Sequence, residues 1–187
     1  MEQEYTYYES RPENYADRLP KEQRCYDFLD ADGIKYGRVD HPAAMTMEAC
    51  EEIEKVLGCH ICKNLLLCNR QETEFYLLLL RGEKPFKTKD VSKQLGVSRL
   101  SFAKGENMEA LLDITPGSLS VMGLMNDREK KVRLLVDRDL LSDEYIGCHP
   151  CINTTCLKIP SEYVFGAFCE KTGHPYTVVD IADAEEE

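Results

Sequence analysis

The sequence predicts an α+β domain in which helices surround a β-sheet. The main observation is a pair of apolar runs, at residues 63–67 and 75–80, which a polar connection over residues 69–74 separates. Such runs are typical of strands buried on both faces, and the short connection predicts that they pair as a hairpin. Segments with helical spacing occur on both sides of this hairpin. Lys63 opens the first run, so we expect it at the mouth of the buried strand.

Five helices are predicted from capping residues and from apolar residues that recur every three or four positions. Pro20 fits the first turn of a helix, and Gly33, Gly58, Gly96 and Gly173 fit the positions just after helix ends. The predicted helices cover residues 20–32, 46–57, 88–95, 107–112 and 161–172, and the last four are capped by Thr46, Thr88, Asn107 and Ser161.

Besides the hairpin, extended segments are predicted at residues 34–40, 100–103, 132–136 and 176–181. Residues 139–145 are interpreted as a loop or a short helical turn, and residues 149–155 as a polar loop. We interpret residues 1–19 as an N-terminal arm, residues 20–181 as a single domain, and residues 182–187 as an acidic tail.

Composition limits the classes of function. The chain has 187 residues, a net charge of -11 and nine cysteines. We predict a cytosolic protein with free thiols and neither a membrane nor a DNA partner, because no signal peptide or apolar span is evident. A local basic strip nevertheless interrupts the acidic sequence, and it predicts contacts with RNA phosphates. Its residues are Lys84, Lys87, Lys89, Lys93 and Arg99.

Five short segments, in this order and with these gaps, resemble the YbaK/prolyl-tRNA editing family. They are Lys-Asn-Leu-Leu-Leu at 63–67, Ser-Arg-Leu-Ser-Phe-Ala at 98–103, Pro-Gly-Ser at 116–118, Gly-Leu-Met-Asn-Asp at 123–127, and His149. Within the family, the chain looks closest to freestanding deacylases of the ProX/PrdX type. The resemblance implies a mixed, barrel-like sheet with flanking helices, and hydrolysis of amino acids wrongly attached to tRNA for proline.

The residues of these segments suit that chemistry. An aminoacyl ester is activated by the neighbouring ribose hydroxyl, so a site that holds the ester and one water supplies much of the acceleration. Lys63 offers a compact charge for the terminal phosphate or the carbonyl region. Asn64 can hold the water or an ester oxygen, and His149 can position the substrate or move a proton. We therefore predict Lys63, Asn64 and His149 as catalytic residues, of which the family resemblance supports Lys63 most directly.

The remaining site residues are expected to bind the amino acid and its ester. Backbone amides at Gly117 and Ser118 could stabilise the negative charge that develops on the carbonyl oxygen. Met122 and Gly123 belong to a segment that is expected to line the amino-acid pocket. In the family this segment often carries a proline and an aromatic residue, whereas this chain has Val121 and Met122.

The resemblance to this branch of the family implies alanine on tRNA for proline as the substrate, and a small pocket excludes proline more easily than it selects alanine. One alternative is cysteine on the same tRNA. Another is a non-catalytic, zinc-binding or redox member of the fold that binds tRNA or prolyl-tRNA synthetase. Four thiols in two paired motifs could bind zinc or form a disulfide, although no cofactor or metal is predicted from the family motif. They are Cys59, Cys62, Cys148 and Cys151.

Overall fold

The structure is a computed structural model that describes residues 4–43 and 47–183. Three features predicted from the sequence fall wholly or partly outside this range: residues 1–3 of the N-terminal arm, the helix cap Thr46, and residues 184–187 of the acidic tail. The division into arm, domain and tail stays a prediction. Within residues 1–19, Tyr7 and Tyr8 form a short strand that pairs with residues Arg38 and Val39.

The described strands form two open sheets. The four-stranded sheet has the order β1-β2-β8-β7 and is antiparallel, whereas the five-stranded sheet has the order β5-β3-β4-β6-β9 and is mixed. In the mixed sheet, β6 runs parallel to both β4 and β9. The strands are β1 (Tyr7–Tyr8), β2 (Gly37–Asp40), β3 (Lys63–Cys68), β4 (Phe75–Leu80), β5 (Ser101–Phe102), β6 (Val132–Asp137), β7 (Tyr145–Cys148), β8 (Thr155–Pro160) and β9 (Tyr176–Val179).

The predicted α+β class and the central β3–β4 hairpin are confirmed. The barrel-like shape is not confirmed, because neither sheet closes on itself within the described residues. All six residues of β4 are buried, since side chains pack on both faces of this strand. This explains why its sequence is a continuous apolar run rather than an alternating one.

The described helices agree with the predicted ones except near their starts. They are α1 (Pro20–Ala31), α2 (Met47–Leu57), α3 (Thr88–Leu95), α4 (Gly105–Leu112), α5 (Ser161–Tyr163) and α6 (Cys169–Thr172). A π-helical turn, Val164–Phe168, joins α5 to α6. No side-chain cap precedes α3, α4 or α5, and Asn107 lies inside α4 rather than at its start. No described helix is both long enough and apolar enough to cross a bilayer.

The β7–β8 hairpin is the main element that the sequence did not predict. Residues 139–145 contain most of a 3₁₀-helix, Arg138–Ser142, and the start of β7. Residues 149–154 form the loop between β7 and β8, as expected, but Thr155 already belongs to β8, and no strand is predicted at residues 155–160. The short β7 contains Gly147, and β8 contains Lys158, so neither segment has the apolar pattern that marks a strand.

Three apolar clusters stabilise the fold. The largest fills the space between the two sheets and α1, with residues such as Cys25, Leu77 and Ile159. A second lies on the other face of the mixed sheet under α3, and a third lies between α2 and the four-stranded sheet. A fully buried aliphatic side chain contributes about 1.5–3 kcal/mol to folding, so both faces of the mixed sheet are needed for stability.

The two sheets meet at Gly147. Ile61 and Gly147 form a parallel bridge, in which the Cys62 amide donates to the Gly147 carbonyl at 2.8 Å and the Gly147 amide donates to the His60 carbonyl at 3.1 Å. An ideal Cβ on Gly147 would lie 2.5 Å from the His60 carbonyl oxygen and 2.9 Å from the Ile61 Cα. Only a residue without a side chain fits here, because backbone atoms cannot easily move away.

We predict that Gly147→Ala destabilises the protein by about 1–3 kcal/mol, the usual range for overpacking a closed site. Gly166→Ala is the matched control, because an ideal Cβ at Gly166 meets no atom within 4 Å. We expect the control to be neutral or slightly stabilising. Urea denaturation of both variants measures the difference, and equal stabilities would contradict the close contact at Gly147.

Candidate functional site

The bridge between Ile61 and Gly147 brings two predicted catalytic residues onto neighbouring segments. Lys63 follows Ile61 by two residues, and His149 follows Gly147 by two residues. Their side chains nevertheless have separate partners, and no hydrogen bond joins them within residues 4–43 and 47–183. The structure therefore places the two segments side by side, with the Lys63 and His149 side chains bonded to different carbonyls.

Lys63 is half-buried at the start of β3, and its Nζ donates to the Lys84 carbonyl at 2.7 Å. It shares a face of the mixed sheet with Leu65 and Leu67, which belong to the cluster under α3. One carbonyl uses one of the three protons of an ammonium group, so two donors remain for a substrate. The contact with Lys84 fixes the direction of the Lys63 side chain.

Asn64 lies on the opposite face of β3, towards the main core. Its Nδ2 donates to the Cys62 carbonyl at 3.0 Å. Its Oδ1 is buried and has no partner among the described residues. A buried carbonyl oxygen without a donor costs about 1–3 kcal/mol, so this atom is suited to accept a hydrogen bond from a water or a ligand.

His149 belongs to a compact group with His41 and Cys156. The two imidazole centroids are 5.9 Å apart, and the Cys156 Sγ lies 3.3 Å from His41 Nε2 and 3.7 Å from His149 Nδ1. His149 Nδ1 lies 2.8 Å from the Thr155 carbonyl and His41 Nδ1 lies 3.0 Å from the Pro42 carbonyl. A carbonyl only accepts, so each Nδ1 carries a proton and donates it. The Nε2 of a neutral His41 therefore accepts from the Cys156 thiol.

Burial controls protonation in this group. It lowers the pKa of His149 and the pKa of His41 below the ordinary value of histidine, because a charged ring loses its hydration. The neighbouring His41 lowers the pKa of His149 further. Burial also raises the pKa of the Cys156 thiol well above its ordinary value. At neutral pH the group is thus uncharged, and His149 can accept a proton at Nε2.

The loop at residues 115–120 lies beside Asn153, which belongs to the loop that contains His149. Gly117 is exposed and has φ +90°, and an ideal Cβ there would lie 3.8 Å from Asn153 Nδ2. Asn153 Nδ2 donates to the Ala43 carbonyl at 3.2 Å, so three loops meet at this point. The Gly117 amide donates to no described residue. The predicted role of the Ser118 amide does not fit, because this amide donates to the Thr115 carbonyl at 3.1 Å.

The predicted substrate contacts of Met122 and Gly123 also require correction. Met122 is fully buried in the main core. Gly123 is buried against Ile114, whose Cδ1 would lie 2.5 Å from a Cβ on this glycine. Both residues therefore pack in the core and not at a surface that a substrate could reach. Their apolar surroundings, rather than contact with a substrate, explain their residue types.

The structure separates the buried Lys84 from the four exposed cations of the basic strip. Lys87, Lys89, Lys93 and Arg99 are exposed, and none of them forms an ion pair within the described part of the chain, so their phosphate contacts stay a prediction. Lys84 instead is 3% exposed. Its Nζ lies 3.0 Å from an Asp137 carboxylate oxygen, also contacts Asp139, and donates to the Ile181 carbonyl at 2.8 Å. Lys84 is therefore a structural residue and not a phosphate ligand.

The four paired cysteines are free thiols in the structure. The Cys151 thiol lies 3.7 Å from the thiol of Cys25, a residue of α1. Among the described residues, the group that could hold a metal ion is His41, His149 and Cys156, whose ligand atoms lie within 4.8 Å of one another. Zinc would require a Cys156 thiolate, whereas burial favours the thiol and hydrogen bonds already satisfy His41.

Sequence reasoning missed the roles of His41, Cys156 and Asn153. No sequence spacing links His41 to Cys156, and they come together only because β2, which ends just before His41, pairs with β8. Asn153 lies in a loop that the sequence did predict as polar. The available signal was the position of both histidines immediately before prolines, which restricts their backbones to extended conformations.

The model of the aminoacyl-tRNA editing domain family matches residues 41–165. The prolyl-tRNA editing protein ProX of Acetoanaerobium sticklandii is 27% identical over 134 residues, which cover 72% of this chain and 82% of that protein. The prolyl-tRNA synthetase associated domain-containing protein 1 of Danio rerio is 27% identical over 151 residues, which cover 79% and 80% of the two chains.

A solved structure supports the fold. It is that of a protein proposed to be a trans-editing enzyme for prolyl tRNA synthetase, with a TM-score of 0.65 and 18% sequence identity. The match covers 89% of this chain and 99% of the other. At this identity the likeness concerns the arrangement of helices and strands.

We predict that Lys84→Gln destabilises the protein by about 3 kcal/mol, because it leaves the buried Asp137 carboxylate without its cation. Lys87→Gln is the control, since Lys87 is exposed and forms no ion pair with a described residue. Its expected effect is within about 0.5 kcal/mol. Chemical denaturation measures both, and a Lys84→Gln variant as stable as the control would contradict the structural role.

We predict that the ring signals of His149 and His41 titrate below the ordinary histidine value of 6.5. Since the folded protein resists protonation of these rings, their contribution to stability is present above pH 6.5 and is lost as the pH falls further. Titration followed by NMR, with His149→Gln and His41→Gln for assignment, tests this. A midpoint for His149 at or above 6.5 would show that the ring is not buried as described.

Proposed function

The chain belongs to the aminoacyl-tRNA editing domain family, and from this membership we propose that it is an aminoacyl-tRNA deacylase that hydrolyses mischarged tRNA for proline in trans. The observation that carries the proposal is the extent of the family match, which includes Lys63, Asn64, Gly117 and His149. The similarity to a prolyl-tRNA editing protein supports tRNA for proline as the substrate, and the synthetase-associated relative supports prolyl-tRNA synthetase as a further partner.

The reaction requires few groups from the protein. A water adds to the ester carbonyl carbon, the bond from this carbon to the ribose oxygen breaks, and a proton from the water ends on that oxygen. The products are a free amino acid and an intact tRNA. The main tasks of the protein are to hold the ester, place the water and stabilise the negative charge on the carbonyl oxygen.

We assign these tasks from the available hydrogen-bonding groups. Lys63 keeps two free ammonium protons beside the one that Lys84 accepts, and it anchors the terminal phosphate or the carbonyl region. The unpartnered Asn64 Oδ1 accepts a hydrogen bond from the water. The free Gly117 amide donates to the developing oxyanion, a role that the Ser118 amide cannot share.

His149 is proposed to take and return the proton. Its Nδ1 proton is held by the Thr155 carbonyl, which leaves Nε2 as the acceptor in the neutral ring. The lowered pKa of His149 keeps this acceptor available at neutral pH. His41 and the Cys156 thiol pack beside the ring and fix its position, so they are positioning residues.

Alanine is the proposed amino acid, with cysteine as the alternative. Both are no larger than proline, so the size of the pocket decides which esters enter. Met122 and Gly123 pack in the core and do not contact the amino acid directly. The four exposed cations of the basic strip, Lys87, Lys89, Lys93 and Arg99, are proposed to contact tRNA phosphates.

We predict that the protein releases alanine from alanyl-tRNA for proline faster than it releases proline, and that Lys63→Ala lowers kcat/KM by about 100-fold or more. Lys131→Ala is the control, because Lys131 is an exposed lysine whose partner is Glu129. Release of labelled alanine, cysteine and proline from the three charged tRNAs measures these rates.

Equal loss of ester with and without the protein would refute the hydrolase activity. The remaining alternative would then be a non-catalytic member of the fold that binds tRNA. A separate binding measurement on Lys63→Ala is needed, because weaker binding and slower chemistry both lower kcat/KM. Loss of kcat with unchanged affinity assigns Lys63 to the chemical step. Metal content of protein purified without chelator tests the zinc-binding alternative, whether the ligands are the four paired cysteines or His41, His149 and Cys156.

A further inference from the structure

A second cleft, on the outer face of the four-stranded sheet, combines aromatic rings with lysines. It has a volume of about 480 Å³. Its lining includes Tyr7 of β1, Lys35, Tyr145 of β7, Lys158 of β8 and Glu9. None of these residues belongs to the proposed catalytic site or to the basic strip.

Two glycines make this cleft possible. In the sheet register, Lys158 lies between Gly37 on β2 and Gly147 on β7. Residues directly opposite each other in an antiparallel pair share a face, so Lys158 has no side chain beside it on either neighbouring strand. The Tyr7 ring occupies the space over Gly37, where an ideal Cβ would lie 2.4 Å from its Cε2.

Lys158 is a half-buried cation without a carboxylate partner among the described residues. Its Nζ lies 4.3 Å from the centroid of the Tyr145 ring, which holds the side chain in place without neutralising its charge. Lys35 also lines the cleft and is exposed. Glu9 offsets part of this positive charge but forms no ion pair with either lysine in the described structure. An anion therefore has two ammonium groups available.

Tyr7 supplies the second kind of contact. One side of its ring packs over Gly37, and the residue is 37% exposed, the largest value that a ring of this cleft offers. The Lys158 ammonium group covers one face of the Tyr145 ring, so a base cannot stack on that face. An exposed ring beside unpaired ammonium groups is the combination that binds single-stranded nucleic acid, through stacking on the base and charge on the phosphate.

The cleft is also near the proposed catalytic site. Cys156, which contacts His149, lies two residues before Lys158 on the same face of β8. Two residues of a strand span about 7 Å, which is within the reach of neighbouring nucleotides in a single strand. The spacing along β8 therefore places Lys158 close to the residue that packs against His149.

We propose that this cleft binds one nucleotide of the RNA strand, upstream of the esterified nucleotide, with its base on Tyr7 and its phosphate at Lys158 and Lys35. The choice of RNA as the occupant rests on the proposed function, whereas the pairing of a base with a phosphate rests on the residues of the cleft. The site adds a tRNA contact formed by residues outside the predicted basic strip.

The test is binding of a fluorescent single-stranded RNA that matches the 3′ end of tRNA for proline, measured by anisotropy at several salt concentrations. We expect Tyr7→Ala to raise Kd about 5- to 150-fold, the effect of losing one stacked base, and Tyr7→Phe to leave Kd within about two-fold. Lys158→Gln is expected to lower the slope of log Kd against log salt by about one, and Lys158→Arg to retain it.

The outcomes separate this proposal from the proposed function. Binding needs no mischarged amino acid, so it is measurable even if no ester is hydrolysed. Parent-like binding by both Tyr7→Ala and Lys158→Gln, or no binding by the parent protein, would overturn the proposal. A free mononucleotide that binds as tightly as the RNA strand would also overturn it, in favour of a small-molecule site.

Deacylation and folding provide two further readouts. In an active protein, we expect Lys158→Gln to raise KM for charged tRNA and to leave kcat within about two-fold. Thermal unfolding shows whether each variant is folded. If Tyr7→Ala loses the pairing of β1 with β2, the result for Lys158→Gln decides the test. Lys93→Gln, in the basic strip, distinguishes the two surfaces, because it is expected to change affinity without altering the effect of Tyr7→Ala.

Discussion

The close approach of the 60–62 backbone to Gly147 is the constraint on which the arrangement of the protein depends. It joins the mixed sheet to the antiparallel sheet through backbone hydrogen bonds, and it brings the start of β3 beside the end of β7. Lys63 and His149 leave this junction two residues later on each segment. A side chain at residue 147 would separate the sheets and, with them, the two halves of the proposed site.

The groups around the proposed site are held by backbone carbonyls more than by charges. Lys63 donates to the Lys84 carbonyl, and His149 and His41 lie beside the carbonyls of Thr155 and Pro42. Carbonyls orient a donor without removing its charge or its second function. Lys63 therefore keeps a full positive charge for an RNA substrate, and His149 keeps a free ring nitrogen.

The sequence predicted the elements that have strong local signals. The apolar runs of β3 and β4 and the glycines after α1, α3 and α6 were sufficient to locate those elements. It did not predict β7 and β8, because Gly147 and Lys158 interrupt the apolar pattern for reasons that lie in other strands. Lys84 was misassigned for a related reason, since its carboxylate partner Asp137 is distant in sequence and only the fold brings it near.

The site residues also divide into those with a local signal in the sequence and those that only the fold brings together. Lys63 and His149 belong to motifs that can be read along the chain, whereas the contact of His41 with Cys156 arises from the pairing of β2 with β8. The assignment of Met122 as a substrate contact failed because a motif position does not reveal whether a side chain faces the pocket or the core.

The anchoring of Lys84 has a practical consequence for handling the protein. Its ammonium group is held by Asp137 and Asp139 and also by the Ile181 carbonyl, and its own carbonyl orients Lys63. The segment after β9 is thus connected to the proposed catalytic lysine through one residue. An affinity tag is better fused at the amino end, because trimming or crowding the carboxyl end would loosen the support of Lys63.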